Sequence, residues 1–203
     1  MLTDEYFDRF QTRKYRARNP LKRMLIKRFV RAMHGLFLEA GPVRSVLEVG
    51  VGEGFLSGYL SEKLPEVEMW GVDILESDLR LLSEKFPRIK AQQGSIYDLG
   101  ALGRTFDLVV CAEVLEHLER PEEAVAELSR VARRALVSVP HEPWFMLSNL
   151  ASGKNVTRLG NDVEHINHFS PRSLSKLLSG SFTVDAVETS YPFILALATP
   201  RAQ

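Results

Sequence analysis

Three sets of residues in this chain are of types and spacings that could do chemistry. The first is Glu48-x-Gly50-x-Gly52-x-Gly54, a carboxylate followed by glycine at every second position. Backbone without Cβ atoms can lie flat against an extended ligand. The second is Asp73, 21 residues beyond Gly52. A strand-helix-strand unit needs about that separation to return a carboxylate to the same loop, where it can accept both hydroxyls of a ribose. The third is Glu113, Glu116 and His117, spaced i, i+3 and i+4, so that one helical turn would put all three on one side. Two carboxylates and an imidazole suit Mg²⁺ or Mn²⁺, completed by His165 or His168, and such an ion would orient an acceptor hydroxyl and lower its pKa. Without an ion, His117 is a candidate base or positioning group, and a Glu113–His117 pair is a candidate structural contact. All three readings stay open at this point.

The elements that must position these residues follow from hydrophobic patterning. The apolar run Ser45 to Val49 reads as a strand that empties into the glycine turn, and an amphipathic helix follows from about Phe55 to Lys63. Glu68 to Asp73 reads as a second strand ending in an acid, with a helix over about 76–86 and a third strand over 89–93. The near-continuous apolar run Phe106 to Ala112 predicts a central strand buried on both faces, delivering Glu113 to His117 to the edge that carries the glycine loop. A helix from Pro121, a fifth strand over Ala135–Pro140, a helix over Pro171–Leu178 and a closing antiparallel hairpin, Phe182–Glu188 with Phe193–Thr199, complete the order. The fold class expected is α/β: a Rossmann-like, seven-stranded, mostly parallel sheet with a terminal antiparallel hairpin and helices on both faces.

Counting from Gly50, the third glycine comes one residue early for a dinucleotide fingerprint, and Glu48 would repel a pyrophosphate. The same carboxylate suits a cofactor that bears an ammonium and a sulfonium. Acidic-x-Gly-x-Gly-x-Gly resembles the first motif of the class I S-adenosylmethionine-dependent methyltransferases, and four motifs in register extend the likeness over roughly residues 43–199. The resemblance implies S-adenosyl-L-methionine as cofactor. Gly50, Gly52 and Gly54 would underlie its methionine part, with Glu48 and Glu113 near that end. Asp73 would hold the ribose, and Ile74 and Ile96 would sandwich the adenine. Ser95 stands where the family commonly has an acid for the adenine amino group, which leaves Ser95 or Asp98 for that contact. Glu-x-x-Glu-His followed by a later histidine looks like the ubiquinone-type O-methyltransferases and the enzymes that methylate the 2′-hydroxyl of small RNAs. His117, Glu116 and His165 are therefore the expected catalytic residues, and Glu113, Glu116, His117 and His165 the candidate metal ligands. The implied activity is methyl transfer to an oxygen or nitrogen of a small molecule, lipid precursor or sugar.

The rest of the chain bounds the partners. At 203 residues and 45% hydrophobic content, one domain with a proper core is expected. No apolar run approaches a membrane span, which points to a cytoplasmic protein. The single cysteine, Cys111, lies in the central apolar run and reads as core. Net charge is zero, yet residues 1–45 hold eleven Arg or Lys against four Asp or Glu. Residues 1–42 read as a basic helical extension, with a helix started by Asn19 and Pro20 and stopped by Gly41-Pro42. Its Lys22, Arg23, Lys27, Arg28 and Arg31 form either a solvated face or a surface for an anionic partner: nucleic acid, which is the basis for an alternative reading as an RNA 2′-O- or other nucleic-acid methyltransferase, or the headgroups of an acidic membrane. Residues 141–170 form a polar and aromatic excursion at the ligand edge, expected to shape the acceptor pocket, with Trp144, Phe145, Tyr15 and Tyr191 as candidate lining. Nothing in the sequence points to a stable protein partner.

Overall fold

The computed structural model describes residues 2–12, 15, 16, 19–144, 146, 150 and 165–202. Phe145, Lys154 and Arg158, three residues of the expected excursion, lie outside the described residues. The elements are α1 (Asp4–Asp8), α2 (Pro20–Glu39), β1 (Ser45–Val49), α3 (Phe55–Lys63), β2 (Glu68–Asp73), α4 (Glu76–Lys85), β3 (Lys90–Gln93), β4 (Leu108–Ala112), α5 (Pro121–Val131), β5 (Ala135–Pro140), α6 (Pro171–Leu178), β6 (Phe182–Ser190) and β7 (Phe193–Pro200). Two 3₁₀ segments, Ile96–Leu102 and Leu115–His117, follow β3 and β4.

The strands form one sheet in the order β3-β2-β1-β4-β5-β7-β6. The first five are parallel, and β7 runs antiparallel between β5 and β6. The order reverses between β1 and β4, and ligands of doubly wound sheets bind in the crevice outside the strand ends at such a reversal. The glycine loop leaves one of those two strands and Glu113 leaves the other.

Side chains alternate along the central strands and feed two cores. Val46, Leu108, Val110 and Leu136 join Phe7, Phe29, Leu56 and Leu82 on one face, under α1 to α4. Leu47, Val109, Cys111 and Val137 meet Leu128 and Leu174 of α5 and α6 on the other. Cys111 is fully buried, as its apolar context predicts.

The N-terminal segment belongs to the first of these cores. Asn19 caps α2 by accepting from the backbone N–H of Leu21 at 2.9 Å and of Lys22 at 3.3 Å, with Pro20 in the first turn. α2 buries Ile26, Phe29, Val30, Met33, Leu36 and Phe37, and Phe29 meets Phe193 of β7 with ring centroids 4.7 Å apart. Tyr6, Phe7 and Phe10 are buried too. The described residues of this segment thus cover one face of the sheet. On α2 the guanidinium of Arg23 pairs with Asp4 at 3.1 Å and Asp8 at 2.9 Å, and Lys27 pairs with Asp4 at 3.3 Å. No helix among the described residues is long and apolar enough to cross a membrane.

Candidate active site

The glycine loop is folded over the end of β2, where the N–H groups of Gly50 and Val51 both donate to the carbonyl of Val72, at 2.8 and 3.1 Å. Gly50, Gly52 and Gly54 have φ of 72°, 51° and 80°, left-handed values that other residues adopt at a cost. Their surroundings differ. A Cβ on Gly50 would strike Val114 Cγ2 at 2.4 Å and one on Gly54 would strike Leu82 Cδ1 at 2.2 Å, whereas one on Gly52 would meet only Asp78, at 3.9 Å. Gly52 is where the loop lies open to a ligand. Asp73 stands beside it: Oδ2 accepts from Gly52 N at 2.8 Å, and Oδ1 from Leu75 N at 3.0 Å. Each oxygen keeps a lone pair with which to receive a hydroxyl.

Glu48 lies under the loop, only 5% exposed. Its Oε2 accepts from both the backbone N–H (2.9 Å) and the hydroxyl of Ser57, in the first turn of α3. Burial pushes its carboxyl up to about 7, against the lowering effect of the two Ser57 bonds and with a further push from the charge of Asp73. A carboxylate so deprived of water is a receptor for a cation, and the ammonium end of an amino-acid ligand is the kind of group that would restore its charge.

On the base side, Ile74 is 66% exposed immediately after Asp73, an uncovered apolar side chain suited to stack on a flat ring. Ile96 is buried in the second core. Ser95 Oγ accepts from Tyr97 N at 3.2 Å as the cap of the 3₁₀ segment, which leaves its own proton to donate, and Asp98 is exposed.

The tip of β4 is built differently from an α-helical turn. Glu113 has φ of 60°, the one non-glycine left-handed residue among those described. Such strain collects at functional sites. Ser138 of β5 fixes it, since its carbonyl accepts from Glu113 N at 3.0 Å and its hydroxyl donates to Glu113 Oε1 at 3.1 Å. Glu113 is therefore turned out of the helical register with Glu116 and His117, which follow in the 3₁₀ turn. Val114 rests on Gly50, so this tip leans on the glycine loop.

A segment distant in sequence is fastened to the turn. The carbonyl of Glu116 accepts from Ile166 N at 2.8 Å and Asn167 N at 2.9 Å, and Asn167 Nδ2 donates to the carbonyls of Leu115 (3.2 Å) and Leu118 (2.6 Å). This lays the His165 ring against that of His117, centroids 5.0 Å apart and tilted by 69°. Glu116, His117 and His165 each offer a ligand atom within 4.8 Å of the others, and Glu116 is buried. His117 Nε2 lies 3.8 Å from Glu116 Oε1. One carboxylate with two imidazoles fits Mn²⁺ better than Mg²⁺, a harder ion that favours oxygen ligands. With Glu113 outside this group, the expected four-ligand set becomes three.

His141 and His168 lie at the exit of β5, where the N–H of Glu142 donates to the carbonyl of Phe169 at 2.9 Å. Burial raises the Glu142 carboxyl, with the neighbouring His168 and His141 opposing. Glu142 escaped the sequence reading although it directly follows a histidine at a strand end. Ser138 and Asn167 escaped it because their partners are distant in the chain, and Ser57, nine residues from Glu48, because a hydroxyl in a helix's first turn makes no motif with it. Of the aromatics expected to line a pocket, Tyr15 stacks on Phe55, while Trp144 and Tyr191 are exposed.

The sheet order, the loop at its reversal point and the acid on the neighbouring strand are arranged as in the class I S-adenosylmethionine-dependent methyltransferases, and the likeness to known proteins is strongest over the part of the chain that carries them. Residues 46–135 match the family described as a methyltransferase domain. A probable S-adenosylmethionine-dependent methyltransferase of Mycolicibacterium smegmatis is 31% identical over 105 residues, covering 50% of this chain and 40% of that protein. The malonyl-[acyl-carrier protein] O-methyltransferase of Methylococcus capsulatus is 29% identical over 169 residues, covering 77% of this chain and 60% of that protein. Among solved structures, the magnesium protoporphyrin IX methyltransferase of Synechocystis with bound S-adenosylhomocysteine superposes with a TM-score of 0.69 at 19% identity, covering 96% of this chain and 94% of that one. The chain spans well under two thirds of the length of the first curated relatives that it matches, 22, 36 and 40%.

Proposed function

We propose that this chain transfers a methyl group from S-adenosyl-L-methionine to an oxygen or nitrogen of a small-molecule acceptor such as a lipid precursor or sugar. The observation that supports the reading is the contact of Val114 with Gly50: the turn that begins at Leu115 and carries Glu116 and His117 follows directly from a residue that touches the glycine loop. S-adenosylmethionine supplies a methyl group already activated by its sulfonium. The residues of the chain bind and align. Glu48 takes the ammonium end, Asp73 the ribose hydroxyls, and Ile74 the adenine. At the acceptor, His117 receives the proton that a hydroxyl or amine releases as its lone pair forms the new bond to carbon, and the buried Glu116 steadies the imidazolium that results. The name of the Methylococcus relative supports oxygen as the atom methylated.

A metal-assisted version is favoured by the same three side chains. Glu116, His117 and His165 would hold Mn²⁺, which would lower the pKa of an acceptor hydroxyl. A nucleic-acid acceptor is less well supported, because Arg23 and Lys27 are already held by Asp4 and Asp8. Calorimetric titration with S-adenosylhomocysteine, followed by transfer of labelled methyl to a panel of hydroxy, carboxy and amino acceptors and to RNA, tests the assignment. No heat of binding would remove it, and label in RNA alone would replace the acceptor class.

A further inference from the structure

Glu53 stands in the glycine loop between Gly52 and Gly54, and nothing in the chemistry above uses it. Its carboxylate is buried, 5% exposed, which is unfavourable unless donors replace the lost water. Four donors do so. Oε2 accepts from Gln11 N at 2.8 Å and Lys85 Nζ at 2.5 Å, and Oε1 accepts from Thr12 N at 2.6 Å and Thr12 Oγ1 at 2.5 Å. Burial alone would raise the carboxyl, yet these bonds hold it down to about 2, so it stays charged over the whole working pH range.

Three of the donors belong to the N-terminal segment and the fourth to α4. The same segment is fastened to Phe55, the residue that opens α3 directly after the loop. Tyr6 Oη donates to the carbonyl of Phe55 at 2.8 Å, Phe10 meets its ring at 4.9 Å, and Tyr15 stacks on it at 3.8 Å with the planes 2° apart. On either side of Glu53 are left-handed glycines, the residues that lose most freedom when ordered. A loop of this kind binds well only if something else has already fixed it.

We propose that Glu53 is a positioning residue of the cofactor site: it ties residues 2–12 to the glycine loop, so that loop and segment receive the cofactor as one unit. This rests on the methyltransferase reading. Reciprocity then requires that whatever factor the tie adds to cofactor affinity, the cofactor adds to the closure of the segment.

The test uses the full chain as wild type, Glu53→Gln, Thr12→Val and the double variant. S-adenosylhomocysteine affinity is measured by calorimetry, folding by thermal melting, and closure by the rate of trypsin cleavage after Arg9 and Arg16 with and without the ligand. The expected result is roughly tenfold weaker binding for Glu53→Gln and roughly threefold for Thr12→Val, with the double variant no weaker than Glu53→Gln alone. The ligand should slow cleavage of the wild type and leave that of Glu53→Gln unchanged. Affinities within twofold of wild type would overturn the proposal, as would additive losses or a wild-type cleavage rate indifferent to the ligand. If Glu53→Gln proves unfolded, Thr12→Val and the wild-type protection carry the decision. A folded wild type with no affinity at all would overturn the methyltransferase reading itself, and this inference with it.

Discussion

Replacing Glu48 by glutamine should make the protein more stable while weakening its hold on the cofactor. The wild-type carboxyl sits under the glycine loop with its ordinary pKa of 4.5 pushed up to about 7 by burial. A raised acid binds its proton more tightly in the folded than in the unfolded state. Its contribution to stability is therefore fully present below about 4.5 and is lost as the pH climbs through about 7. The displacement corresponds to roughly 3 kcal/mol, taking about 1.4 kcal/mol per pKa unit. Glutamine keeps the carbonyl that accepts from Ser57 and carries no charge to desolvate. At pH 8 the Glu48→Gln protein should accordingly resist urea better than wild type, by up to roughly 3 kcal/mol. At pH 5 the two should nearly coincide. Calorimetry with S-adenosylhomocysteine should show the opposite order at pH 8, with affinity reduced by about tenfold or more for loss of one charge-assisted contact. Wild-type affinity should itself decline on acidification below 7. The pH dependence of the stability difference is the decisive readout, since other carboxylates cancel in it. A difference that is flat from pH 5 to 8, or a variant less stable at pH 8, would refute the argument.

Three further outcomes are expected. Asp73→Ala should weaken S-adenosylhomocysteine binding at least tenfold by calorimetry, because it removes the ribose acceptor and also releases the N–H of Gly52. His117→Ala should leave that affinity within about twofold and reduce methyl transfer by about 10² or more in a labelled-methyl assay, the range of a lost acid-base group. Removing divalent ions with a chelator should abolish transfer, and Mn²⁺ should restore it better than Mg²⁺, if Glu116, His117 and His165 act through an ion; full activity of metal-free protein would assign the proton to His117 alone.

The order of strands and helices could be read from the chain because apolar runs and their polar stops are local features. Ser45–Val49, Glu68–Asp73, Ala135–Pro140 and Pro171–Leu178 appear with the expected bounds. The glycine loop and Asp73 were legible for a similar reason, being set by a spacing. The tip of β4 was not. Residues 113, 116 and 117 read as one helical face, but Ser138, 25 residues on, turns Glu113 into a left-handed conformation that no local pattern announces. The arginines of the N-terminal segment left a solvated face and a surface for an anionic partner both open, and they gave no sign that Tyr6, Phe7 and Phe10 among them dock the segment on Phe55. The contact of Glu53 with Gln11 and Thr12 spans about forty residues and involves backbone donors, which carry no sequence signature.

The placement of β7 has a bearing on how the molecule is made. This strand leaves the ribosome after the six others of the sheet, yet it belongs inside it, with Phe193 to Ala198 buried between β5 and β6. Until it arrives, β5 presents an unpaired edge and β6 has no neighbour, a state in which chains adhere to one another. Synthesis that stalls between β6 and β7 would therefore yield an open-edged, sticky intermediate, and chaperone dependence should be greatest in the interval before β7 emerges.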